Sequence, residues 1–177
     1  VVRENYHSLM DHLGSGREWD LLRKNGGLSI FPPYAEKNMK VYSGRVQALE
    51  SILPFLKSKK EKYVIMTDAN IAVDFDFGAM LQEHIESGAD VSIAYTEQEI
   101  PEELIRAGVH EDMYYTLCLE DGRVRRIFMN SEEPGIQNLS MNIYIMEREA
   151  LIEKIHGAFV RGYSYFERDI LAPRLEK

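Results

Sequence analysis

The chain has a single cysteine, Cys118, among its 177 residues. One thiol excludes an intrachain disulfide and a Cys-based zinc site. Cys118 falls within "YYTLCLED", a strand pattern, and is expected to be a small core residue. No apolar run approaches the roughly 18 residues that a helical membrane span requires, so no membrane partner is expected. A basic excess is lacking too. The 21 Lys and Arg against 29 Asp and Glu leave a net charge of -8, which disfavours a nucleic-acid surface. The one basic run, at 57–62, sits where a helix should end and where cations favour the helix dipole. The chain contains no Walker loop, GxGxxG, HExxH or GxSxG. The 5 histidines, at 7, 12, 84, 110 and 156, show no ligand spacing and read as surface or packing residues. No targeting segment is recognisable, and the cytoplasm is the expected compartment.

What is present is the material of one α/β domain. Apolar residues make up 45% and charged residues 28%, ordinary values for a globular protein with a sizeable core. Strand patterns fall at 27–31, 62–67, 90–95, 114–119, 123–129 and 141–146. Asp121-Gly122 supplies a tight hairpin turn between two of them. Helical stripes alternate with the strands. Val46, Leu49, Ile52, Leu53 and Leu56 form one, with Ser43 as a cap and Pro54 expected to kink or shorten it. Phe77, Met80, Leu81 and Ile85 form a second, with Asp76 fitting its N-cap and Gly88 its stop. Leu151, Ile152 and Ile155 mark a third. A fourth starts near Tyr163 and should be ended or interrupted by Pro173. The alternation predicts a mostly parallel sheet, helices on both faces, and an inserted antiparallel hairpin.

Chemistry is harder to place. Asp68 or Asn70, following the apolar run "YVIMT", stands where open α/β sheets bind ligands, just past a strand's carboxyl end. Asp74 reads as a turn residue. Gly26-Gly27 is a turn or an anion site, with the turn favoured. Arg123, Arg125 and Arg126 suit a phosphate or, better, a solvated strand face.

A longer pattern goes further. "NYHSLMDHLGSGREWDLLRKNGGLSIFPPY" (5–34) resembles the ADP-glucose pyrophosphorylases, or glucose-1-phosphate adenylyltransferases, nearly residue type by residue type. The likeness continues through "SMNIYIM" (140–146) and "YSYFERDILAP" (163–173) and covers essentially all of the chain. It implies a Rossmann-like nucleotidyltransferase domain over 1–177. That family transfers an adenylyl group from ATP to glucose 1-phosphate with Mg²⁺, for glycogen or starch synthesis. Such catalysis rests on a few fixed carboxylates and cations.

The family's working motifs match this chain only in part. Its Gly-Thr-Ala-Asp-Ala appears as Gly44-Arg45-Val46-Gln47-Ala48, with the acid replaced by Gln47. Its Gly-Asp-His, whose Asp holds the metal, appears as Asp68-Ala69-Asn70. Aligning Ile71 puts Ala69 at the metal carboxylate; a one-residue shift puts Asn70 there. Its Glu-Lys-Pro, whose Lys meets the sugar phosphate, is Glu132-Glu133-Pro134. A unit pair near 4 Å is worth about 4 kcal/mol at an effective dielectric near 20, so reversing the charge at Glu133 would oppose phosphate binding. Its Ser-Met-Gly-Ile-Tyr, whose Ser lies near the glucose, is Ser140-Met141-Asn142-Ile143-Tyr144. Its Asp-Phe-Gly-Lys-Asp is Tyr165-Phe166-Glu167-Arg168-Asp169.

The resemblance therefore implies the regulatory, non-catalytic type of subunit of bacterial heteromeric enzymes. Such a subunit binds no metal of its own. Its expected partner is a catalytic subunit carrying Mg²⁺, in a heterotetramer. Ser140, Asp68 and Gly44 are expected to line a remnant pocket for a sugar-phosphate effector. The alternatives are an active nucleotidyltransferase that uses Asp68 in place of the lost acid, and a plain sugar-phosphate binding module. The family's N-terminal strand and C-terminal left-handed β-helix domain are expected to lie outside these residues. If Glu133 opposes phosphate, its side chain should face the sugar-phosphate cleft.

Overall fold

The computed structural model describes residues 6–21, 27–31, 44–69, 71–108 and 114–175. Its centre is a strand that comes late in the chain. β5, Ile136–Glu147, takes β1, Tyr63–Met66, on one edge and β2, Val91–Glu99, on the other. The edge that carries β1 also meets β3, Tyr115–Glu120, further along, where Thr116 stands opposite Leu139. β3 then continues the sheet to β4, Arg123–Met129.

Every ladder among the described residues is antiparallel, which corrects the expectation of a mostly parallel sheet. The reason lies in the order of strands. β1 and β2 run the same way, as strands joined by a helical crossover should. They do not touch, because β5 lies between them in the opposite direction. Periodicity reports which segments are strands and carries no information about a strand that returns from far along the chain. The segment 27–31 joins no ladder. The hairpin lies where expected, with Asp121 at φ 51 and Gly122 at φ 72 in the tight turn.

Helices cover both faces. Side chains alternate along β5. Tyr144 and Met146 face a cluster built from α2 (Arg45–Ser51), α3 (Leu53–Lys57) and α6 (Arg148–Val160). α4, Phe77–Ser87, lies on the opposite face. There buried His84 places Nδ1 2.8 Å from Ser92 Oγ and sets its ring edge-on to Tyr63 at 5.4 Å. Burial lowers the His84 pKa from its ordinary value. Because β5 is flanked on both edges and covered on both faces, Ile143, Ile145 and Met146 are fully buried.

Local signals explain the helix boundaries. Pro54, lacking an N–H, splits the expected 46–56 stripe into α2 and α3 at Ile52. Ser43 lies outside the described residues. Asp76 caps α4, accepting from the Ala79 N–H at 2.9 Å, and Gly88 ends it at φ 59. The basic run does begin at a helix end, at Lys57, and Lys59 rests over the Phe55 ring. Pro173 interrupts its helix without ending it. Glu167–Leu171 is wound as a π-helix, and α7, Ala172–Leu175, carries the proline in its first turn.

Cys118 is exposed, which corrects the expectation of a core thiol. It does lie in β3, but Tyr115, Thr116 and Leu117 are the buried residues of that strand, and the register shifts just after Cys118. Arg123, Arg125 and Arg126 lie on β4 and are exposed, with Arg125 Nε donating to Glu120 Oε2 at 2.7 Å. His7, His12 and His156 are exposed and His84 is buried packing; His110 lies outside the described residues.

Candidate functional site

One edge of β5 changes partner from β3 to β1, and the polar residues gather at that fork. Ala94 stands opposite Ile143, but Tyr95 stands opposite Ser140, so Met141 and Asn142 bulge out of β5. Asn142 takes φ 54, a left-handed conformation that Asn tolerates better than most residues. Its N–H donates to Ser140 Oγ at 3.1 Å. β1 ends at Met66, and two residues later Asp68 lies alongside the bulge.

Each Asp68 oxygen accepts one hydrogen bond. Asn142 Nδ2 donates to Asp68 Oδ2 at 2.8 Å, and Arg45 Nη2 donates to Asp68 Oδ1 at 2.7 Å. Arg45, at the first turn of α2, also donates through Nη1 to Glu167 Oε1. Glu167 belongs to the π-helix and is 3% exposed. Tyr144 Oη donates to the same Glu167 oxygen at 2.7 Å and sits 3.1 Å from Asn142 Oδ1. The chain of contacts is thus closed: Asp68, Arg45, Glu167, Tyr144, Asn142, and back to Asp68. The Arg45 guanidinium also lies over the Tyr144 ring at 5.4 Å.

The electrostatics follow from burial. Desolvation works against the Arg45 charge, but Glu167, Tyr144 and Asp68 more than offset it, and its pKa is raised. The Tyr144 and Tyr115 hydroxyls are raised by burial first and by the Glu167 charge second. Both phenols therefore stay protonated at any ordinary pH, and the Tyr144 hydroxyl remains a donor to Glu167.

Gly44 has a steric task beside this ring. Val46 N–H donates to the Ser164 carbonyl at 3.1 Å, which draws the start of α2 against the 164–165 backbone. A Cβ on Gly44 would sit 2.3 Å from that same carbonyl oxygen. Gly44→Ala in the full-length protein is expected to cost about 1–3 kcal/mol, read from the denaturant midpoint. An unchanged midpoint would show that the 164–165 backbone yields freely.

The sequence-derived residues are distributed as follows. Asp68, Ser140 and, through its neighbour Arg45, Gly44 converge at the fork. Ala69 is exposed in the turn beyond Asp68. Asn70 lies outside the described residues. Glu133 is exposed on the segment entering β5; its backbone N–H meets Ser131 Oγ and its carbonyl accepts from Gln137. The charge-reversal argument at Glu133 thus rests on the motif correspondence, and no hydrogen bond described here ties its carboxylate to the fork. Asp74 is exposed. Among the described residues no three His, Cys, Asp or Glu side chains cluster as a metal site. Ala69 offers no side-chain donor atom, and each Asp68 oxygen already accepts a bond, one of them from a cation.

Arg45 and Glu167 complete the ring at the fork, and the sequence alone does not single them out as site residues. They are far apart in the chain, and neither looks unusual in its own segment. The available signal was that each departs from a motif of the resembling family, Arg45 from its Thr and Glu167 from its Gly.

Helices on both faces of an antiparallel sheet make this a mixed α/β domain. The sequence profile of nucleotidyl transferases matches residues 1–170, and the chain belongs to that family. Among curated relatives, the glucose-1-phosphate adenylyltransferase of Bacillus subtilis (strain 168) is 31% identical over 172 residues, covering 96% of this chain and 43% of that protein. The protein of the same name from Bacillus mycoides (strain KBAB4) is 38% identical over 147 residues, 82% of this chain and 37% of its own length. That of Clostridium novyi (strain NT) is 30% identical over 148 residues, 83% and 37% of the two chains. The chain therefore spans less than half the length of these relatives. No helix among the described residues is long and apolar enough to cross a membrane.

Proposed function

We propose that this chain is the nucleotidyltransferase part of a regulatory, catalytically degenerate subunit of glucose-1-phosphate adenylyltransferase, acting in glycogen synthesis through a catalytic partner in a heterotetramer. The observation that carries this reading is the state of Asp68. Beside it, the motif correspondence puts Ala69 or Asn70 where the family's metal-holding acid should be. Asp68 is the nearest carboxylate, and both its oxygens are held by Arg45 and Asn142. A carboxylate so engaged is a poor substitute ligand for a divalent cation. Ala69, Gln47 and Glu133 further remove the acid, a second acid and the phosphate-facing cation of the motifs.

The test is ADP-glucose formation from ATP and glucose 1-phosphate. The full-length protein alone is expected to give no turnover. Mixed with the catalytic subunit, it is expected to change the rate or the response to sugar-phosphate effectors. Turnover by the isolated protein that Asp68→Ala abolishes would refute the reading and establish a rearranged active site. Failure of the two subunits to co-purify would point instead to a free-standing sugar-phosphate binding module.

A further inference from the structure

A helix that covers a sheet usually seats itself through a stripe of buried apolar residues. α4 does not. Met80 and Leu81 are half-buried, and Phe77 and Ile85 are exposed. The one buried side chain of the helix is titratable: His84, 3% exposed. Its Nδ1 lies 2.8 Å from Ser92 Oγ of β2, and its ring meets Tyr63 of β1 edge-on. Ladder pairing sets Ser92 beside Ile145, Ala94 beside Ile143 and Tyr63 beside Glu147 on this face. The charges that act on the ring are Glu147 and Lys62. Glu147 favours a charged imidazole and Lys62 opposes it, and the two pair with each other at 2.9 Å. Burial is the larger influence, and it favours the neutral ring. On α4 itself, Glu83 and Glu86 are exposed, and Glu86 accepts from Gln82 Nε2 at 2.8 Å.

We infer that His84 makes α4 an acid-released helix: the neutral imidazole seats it on the sheet, and protonation unseats it while the opposite face stays packed. A charged ring carries two N–H donors into an apolar setting, where Ser92 is its one described hydrogen-bond partner. The sign follows from linkage. The released imidazole titrates at its ordinary value of 6.5 and the seated one lower. Seating therefore has its full stability above pH 6.5 and loses it as the pH falls below that value. His156, across the sheet, has the opposite setting. It is exposed, and its Nδ1 lies 3.2 Å from Glu50 Oε1, so a proton there strengthens the contact between α6 and α2. Acid thus loosens one face of the sheet and not the other. The device belongs to the fold and holds whatever the role of the subunit.

The test is amide hydrogen exchange of the full-length protein from about pH 7.5 to about pH 5, corrected for the intrinsic pH dependence of exchange. Protection of the α4 amides is expected to fall below pH 6.5 by up to about tenfold per pH unit, the limit for one proton. The α6 amides are expected to hold. His84→Gln keeps a polar side chain that does not titrate, and it is expected to remove the acid limb from α4. Protection of α4 that is unchanged by acid, or that falls in step with α6, would overturn the acid release. An acid limb that survives in His84→Gln would overturn it too. Should that variant fail to fold, the ring resonance of His84 in the wild-type protein decides. Protection of α4 is expected to fall as that ring takes up its proton, and a ring that titrates with α4 still protected would refute the device.

Discussion

Arg45→Met is expected to destabilise the full-length protein by about 3–5 kcal/mol, read from the denaturant midpoint. The cost arises on the partner's side. Glu167 is 3% exposed, and Arg45 is its counter-ion. Without Arg45, a carboxylate remains in the core with only phenol donors to stabilise it. The direction reverses in the double variant. Arg45→Met/Glu167→Met removes both charges and is expected to recover most of the loss, since a buried pair exchanged for apolar groups of similar volume is often neutral or better. A double variant as unstable as the single would mean that Arg45 acts mainly through Asp68 and packing on Tyr144.

Phe166→Ala is expected to cost a similar amount, about 3–5 kcal/mol, by a different route. Phe166 is fully buried and meets the Tyr144 ring edge-on at 5.5 Å. It also precedes the π-helix that carries Glu167. Truncating it opens a cavity beneath the polar ring and releases Tyr144 from its orientation. Phe166→Leu, which keeps much of the volume, should cost under about 1.5 kcal/mol. Equal losses from Ala and Leu would point to the aromatic edge contact as the main term.

These two residues show what the sequence made legible. Phe166 falls within the helix that the sequence places from near Tyr163. Asp76, Gly88, Asp121-Gly122 and Pro54 were equally visible, because caps, turns and helix breaks depend on residues a few positions apart. The strand patterns at 62–67, 90–95, 114–119 and 123–129 overlap observed strands for the same reason, although β2 runs on to Glu99, beyond its apolar pattern. Strand direction was not visible, because β5 pairs with segments distant in the chain. The π-helix before Pro173 was not, because it answers to tertiary packing around Glu167. The exposure of Cys118 was missed because an apolar run does not say which of its residues face inward. At the fork, Asp68 was found by its place after a strand. Arg45 and Glu167 were not, since an Arg in a first helical turn and a Glu in a last helix are common surface residues until they are brought together.

The position of β5 has a consequence for how the chain is made. The residues that complete β1 leave the ribosome some 80 residues before the strand that pairs with them. At ordinary elongation rates of ~5–20 residues per second, that interval is on the order of 4–16 s. Through it, the apolar segment 63–66, joined by 91–95 once that is made, exists without its ladder partner among the described residues. Nascent chains of this protein should therefore lean on chaperones between synthesis of β2 and β5. Substitutions that thin the apolar character of β1 should raise soluble yield even where they lower the stability of the finished fold.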